Sequence, residues 1–174
     1  MTVQRLPYRL AQFWRLAFPC LDALPLDRVF PYLSPAQQTL FRRMSAGEQA
    51  HAIRVWQRLI AAGARESALL LAALLHDVGK ILYPLSVWER AIVVLAQSLA
   101  PEQWRRWGRG EARGWRKPFV VAVRHADWGA TLAAQAGAPP LAVLLISYHH
   151  TPPAQAPRTL APLLAALQQA DDNS

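Results

Sequence analysis

The sequence predicts an all-α fold on three observations. Leucine and alanine dominate it, β-branched residues are scattered, and no Asn-Gly or Asp-Gly pair joins two runs of alternating polarity. Prolines and glycines cut the chain into short helices. Its 174 residues suffice for one domain with one core. With 53% hydrophobic and 17% charged residues it buries enough apolar surface to offset its conformational entropy, which excludes a disordered chain.

The elements follow in order. Residues 8–17 read as a first amphipathic helix stopped ahead of Pro19, and residues 25–31 as a connection. Residues 1–33 are expected to form a helical extension packed on a core domain spanning 34–174. Ser34-Pro35 supplies an N-cap and an N1 proline for a helix ending near Arg43. Ser45 and Glu48 form a capping box, opening a helix whose Ala52, Val55, Trp56, Leu59 and Ile60 recur at helical spacing until Gly63 closes it.

His51 falls at the edge of that helix's buried face. The next helix is predicted over residues 66–78, apolar on every side from 68 to 75 and therefore central to the core, with Gly79 as its C′ residue. Further helices are predicted over 86–99, 118–124, 127–136 with Asp127 as N-cap, 140–150 and 159–170. Trp88, Ala91, Ile92, Val94, Leu95 and Leu99 are assigned to core packing, with an anionic membrane surface as the alternative for so apolar a helix.

Nineteen basic against eleven acidic residues leave a net charge of +8, which favours anionic partners. The one strongly basic and aromatic stretch, residues 104–117, is expected to be a solvated loop with aromatic anchors. Its arginines are suited to steering an anionic substrate, and nucleic acid is not an expected partner. The single cysteine, Cys20, cannot form an internal disulfide, and Arg5, Arg9, Arg15 and Pro19 interrupt what a secretory leader would need, so a cytoplasmic location is expected. The apolar run 91–100 is too short to span a bilayer; no transmembrane segment is predicted, and peripheral membrane contact is left open.

The histidines carry the chemistry. His51, His76, His125 and the pair His149-His150 each fall at a predicted helix end or buried edge; Asp77 follows His76 directly, and Asp171-Asp172 follow a largely apolar run. Ionisable groups at the end of a buried helix are costly unless paired or bound to a metal. Imidazoles and carboxylates drawn from several helices suit divalent transition metals.

Leu74-Leu75-His76-Asp77-Val78-Gly79-Lys80 resembles the signature of the HD-domain metal-dependent phosphohydrolases in its HDIG-like form. His51, twenty-five residues upstream, matches that family's first histidine. His125-Ala126-Asp127-Trp128-Gly129-Ala130 and His149-His150 resemble segments of the HD-GYP-like branch, and Asp171 fits the final aspartate, with Asp172 an equally typed neighbour. The Gly-Tyr-Pro motif is missing, and Thr151-Pro152-Pro153 stands where that branch has Glu and a glycine-rich loop, so cyclic-di-GMP hydrolysis is not carried over. The chain resembles small bacterial HD proteins without an assigned substrate.

The resemblance implies an HD-domain helical bundle. It implies one metal held by His51, His76, Asp77 and Asp171, and a second held by Asp77, His125, His149 and His150. One or two divalent ions are expected, among iron, manganese, cobalt, nickel, zinc and magnesium. The implied reaction is hydrolysis of a phosphoester, of a nucleotide or cyclic dinucleotide, by a metal-activated hydroxide, with Asp77 and Lys80 as catalytic residues. The alternative is a catalytically silent HD-type module that binds an anionic ligand for regulation.

Overall fold

The computed structural model describes residues 24–174. The helix expected over residues 8–17, and Cys20, lie outside them. The described chain is helical, with no strand among the described residues. Among the described residues nine α-helices follow one another: α1 Leu26–Val29, α2 Pro35–Arg43, α3 Ala46–Ala61, α4 Ser67–Leu75, α5 Val87–Leu99, α6 Pro101–Trp107, α7 Lys117–Gln135, α8 Pro140–Tyr148 and α9 Ala161–Asp172. Short 3₁₀ turns at Phe30–Tyr32, Val78–Leu82, Gly114–Arg116 and Pro153–Gln155 join them. No single described helix is long and apolar enough to cross a membrane.

Several elements form as local chemistry dictates. Ser34 and Ser45 cap α2 and α3, each in a reciprocal box with Gln37 and Glu48 respectively, which satisfies otherwise orphaned backbone donors. A third box, Ser86 with Glu89, opens α5. Every residue of α4 from Ala68 to Leu75 is buried, so this helix is the centre of the core. Around it α3, α8 and α9 contribute Val55, Leu59, Leu145, Ile146, Leu164 and Leu167.

Four expectations are corrected. Residues 25–31 are not a simple connection but α1 and the Phe30–Tyr32 turn. Contacts with the next helix order them: Val29 is fully buried, Phe30 meets Phe41 edge-on at 6.4 Å, and the Gln38 carboxamide donates to the carbonyls of Phe30 and Leu33. The two helices expected over 118–124 and 127–136 are one, α7. Asp127 is no N-cap there but lies mid-helix, where its carboxylate accepts from Ser147 Oγ at 3.4 Å. No proline or glycine interrupts residues 119–128, so nothing stops the helix.

The helix expected to reach residue 78 ends at Leu75. Gly79 is not a left-handed C′ residue; its φ is not positive, and it sits inside the Val78–Leu82 turn. Its smallness serves a close approach instead. A Cβ there would collide with the carbonyl oxygen of His125 and come within 2.6 Å of the Gly129 nitrogen. The turn therefore lies directly against the backbone of α7.

Finally, α5 is not a core helix. Val93 is its only buried residue, whereas Trp88 is 80% and Leu99 77% exposed.

Candidate metal centre

The site begins where α4 stops. His76 caps the helix, and Asp77 adopts φ −94° and ψ 0°, a sparsely populated backbone region common at functional positions. Both side chains are buried. The contact of Gly79 with α7 brings His125 alongside, so that its Nε2 lies 3.3 Å from Asp77 Oδ1. From the far end of α8, His150 Nε2 approaches His125 Nε2 at 3.0 Å, and the rings of His149 and His150 are 3.9 Å apart. His51 on α3 donates from Nε2 to Asp171 Oδ1 on α9 at 2.7 Å, and the same oxygen is 3.8 Å from His76 Nε2.

Five histidines and two aspartates, drawn from α3, α7, α9 and the ends of α4 and α8, thus converge. They form two groups whose donor atoms lie within 4.8 Å of one another: His51, His76 and Asp77, and His125, His149 and His150. Asp171 faces His51, while its exposed neighbour Asp172 lies on the rim of a cavity of about 230 Å³ shared with His149, His150, Pro152, Gln168 and Asp171. Lys80 Nζ donates to Asp77 Oδ2 at 2.7 Å.

The hydrogen bonds fix how these rings are protonated. A carbonyl oxygen only accepts, so Nδ1 carries the proton where His76 meets Ala73 O at 2.9 Å, His125 meets Val121 O at 2.8 Å and His149 meets Ile146 O at 2.7 Å. In the neutral ring each Nε2 then offers a lone pair. The Nε2 atoms of His76 and His149 are buried and accept no hydrogen bond. His125 turns its lone pair toward a carboxylate oxygen and another imidazole nitrogen. So many unpaired acceptors facing one another is an arrangement that a cation satisfies, and an Nδ1–H held by a backbone carbonyl is the outer support typical of a metal-binding imidazole.

Electrostatics favour the ligand forms. Burial opposes ionisation of Asp77, yet the Lys80 ammonium at 2.7 Å outweighs it and holds the carboxyl well below its usual range. Asp171 is likewise lowered: burial raises it, and the His51 hydrogen bond with the His76 ring more than compensates. Burial, then the neighbouring imidazoles, pushes His149 far below the ordinary imidazole value. His150 keeps an exposed edge but is lowered too, by the dense surround and by His125. Neutral imidazoles and charged carboxylates are the states that bind metal.

The profile of the HD domain family matches residues 49–172, which is more than half of the chain. The chain belongs to the HD domain family. No curated protein and no solved structure matches it. The HD family consists mostly of metal-dependent hydrolases.

The structure brings His51, His76, Asp77, Lys80, His125, His149, His150 and Asp171 to one place. Sequence reasoning missed Gln168. Its carboxamide donates to His149 O at 2.9 Å and Thr151 O at 2.7 Å, tying the end of α8 to α9. Its one sequence signal is the polar pair Gln168-Gln169 that interrupts an apolar run ahead of Asp171.

Proposed function

We propose that this HD domain is a metal-dependent phosphohydrolase that hydrolyses the phosphoester of a nucleotide or cyclic dinucleotide. The observation that carries the reading is the set of imidazoles held through Nδ1 on backbone carbonyls, with their Nε2 atoms turned inward around Asp77. His51, His76, Asp77 and Asp171 would hold one divalent ion, and Asp77, His125, His149 and His150 a second. Bound there, such ions supply a hydroxide at neutral pH and neutralise charge on a phosphoryl oxygen.

The chain's own residues do the rest. The Lys80 ammonium, partly exposed and held beside Asp77, would contact a non-bridging phosphate oxygen as a compact positive charge. The fixed imidazole orientations leave little to reorganise during reaction. Gln168 positions the His149–Thr151 segment on one wall of the cavity. The cavity has room for the phosphoryl end of the substrate, with the remainder lying across its open rim.

Elemental analysis of purified wild type, His51→Ala and His149→Ala tests this without a guess at substrate. The expected result is about two ions per chain in the wild type and fewer in both variants. Metal-dependent cleavage of bis(4-nitrophenyl) phosphate and a nucleotide panel should accompany it. Metal-loaded protein that cleaves none of these would favour the silent anion-binding module, and absence of metal after reconstitution would overturn the metal-dependent enzyme and leave that module as the reading.

A further inference from the structure

Helix α5 leaves one face uncovered. Trp88, Ile92, Leu95 and Leu99 recur at intervals of four, three and four residues, so they form one stripe, and they are 80, 49, 46 and 77% exposed. Both charged residues of the helix are engaged elsewhere: Glu89 pairs with Lys117 at 3.2 Å, and Arg90 pairs with Glu48 of α3 at 2.9 Å. The stripe itself therefore carries no charge. Helix α6 follows directly and packs against α5. From it through the Gly114–Arg116 turn, Arg105, Arg106, Arg109, Arg113 and Arg116 are all exposed. Arg105, Arg106 and Arg109 meet no carboxylate among the described residues. Trp115, 62% exposed, stands beside them with the Arg116 guanidinium 5.2 Å from its ring.

We propose that this face docks the protein on an anionic lipid surface, with the α5 stripe and Trp115 entering the headgroup boundary and the arginines neutralising lipid phosphates. Four large apolar side chains on one helical face beside a cluster of arginines is the chemistry of an interfacial helix. Two other occupants fit less well. A second copy of the chain would bring the same +8 net charge toward itself. Nucleic acid would find arginines, but the aliphatic Ile92, Leu95 and Leu99 offer it nothing to stack on or bond to.

Sedimentation of the full chain with vesicles of phosphatidylcholine, with and without about 30% phosphatidylglycerol, in about 0.1 M salt, tests the proposal. Binding is expected to the anionic vesicles and to be marginal on the neutral ones. Replacing Arg105, Arg106 and Arg109 together by Gln should weaken it on the order of a hundredfold. Trp88→Ser with Leu99→Ser should weaken it by about tenfold or more. These side chains lie at the surface, so an unchanged melting midpoint and metal content serve as controls for folding. Equal binding to both vesicle types, or none, would overturn the proposal. So would variants that bind like wild type. A concentration-dependent dimer dissolved by Trp88→Ser, without vesicle binding, would overturn it in favour of a second copy.

Discussion

An imidazole whose Nδ1–H is held by a backbone carbonyl has only a lone pair left at Nε2, and His76, His125 and His149 are all in that condition. For His149 burial makes protonation in place costly, and this sets the acid sensitivity of the fold. His149 and His150 lie below the ordinary imidazole value of about 6.5 in the folded state, so below that pH the unfolded chain binds more protons. Stability should be fully present above about pH 6.5 and fall as pH drops through it. Asp77 and Asp171 are lowered carboxyls whose contribution is lost only at more acid pH, so the first loss belongs to the imidazoles. Urea midpoints of chelator-treated protein at pH 7.5 and pH 5 check this, and an unchanged midpoint would count against it. At Lys80, removal of the ammonium by Lys80→Ala should lower kcat by about a hundredfold while metal content persists. Kinetics and elemental analysis on one preparation separate that outcome from a role in holding Asp77.

Helices place these residues by their ends and by one close contact. His76 and Asp77 leave α4 just where its helical hydrogen bonds stop, and the Val78–Leu82 turn then presses Gly79 onto α7. Gly79→Ala should cost about 1–3 kcal/mol, because the added methyl meets backbone rather than a flexible side-chain tip. It should also weaken metal retention by moving Asp77 away from His125, measurable as a lower melting midpoint together with reduced metal per chain. The tether between α8 and α9 acts from the other side. Gln168→Leu removes two donated hydrogen bonds and should cost about 1–2 kcal/mol while leaving α9 helical by circular dichroism. Metal affinity that stayed at the wild-type value would show that the His149–His150 end is positioned without it.

Across the whole molecule, α3, α7, α9 and the ends of α4 and α8 converge on one point, so a metal held there, as proposed, would couple its binding to folding. An ion bound only by the folded chain stabilises it by about 2.7 kcal/mol at a free concentration a hundred times its Kd. The melting midpoint should therefore rise with added divalent metal and fall with a chelator. A His76→Ala variant should lose that response, and a midpoint indifferent to metal in the wild type would contradict the coupling.

Much of this was legible in the sequence. The Ser34 N-cap, the Ser45/Glu48 box and the all-apolar run of α4 are local chemistry, and the structure has them where patterning put them. The order His51, His76-Asp77, His125, His149-His150, Asp171, through the family resemblance it carries, was enough to single out the residues that the structure gathers in one place. Tertiary structure decided the rest. It ended α4 before Gly79 and used that glycine for contact with α7, which no left-handed turn signal could reveal. It ran α7 unbroken through Asp127, where a capping residue type proved compatible with a helix interior. It also left the apolar α5 outside the core. Periodicity records which face of a helix is apolar, but what covers that face depends on elements distant in sequence.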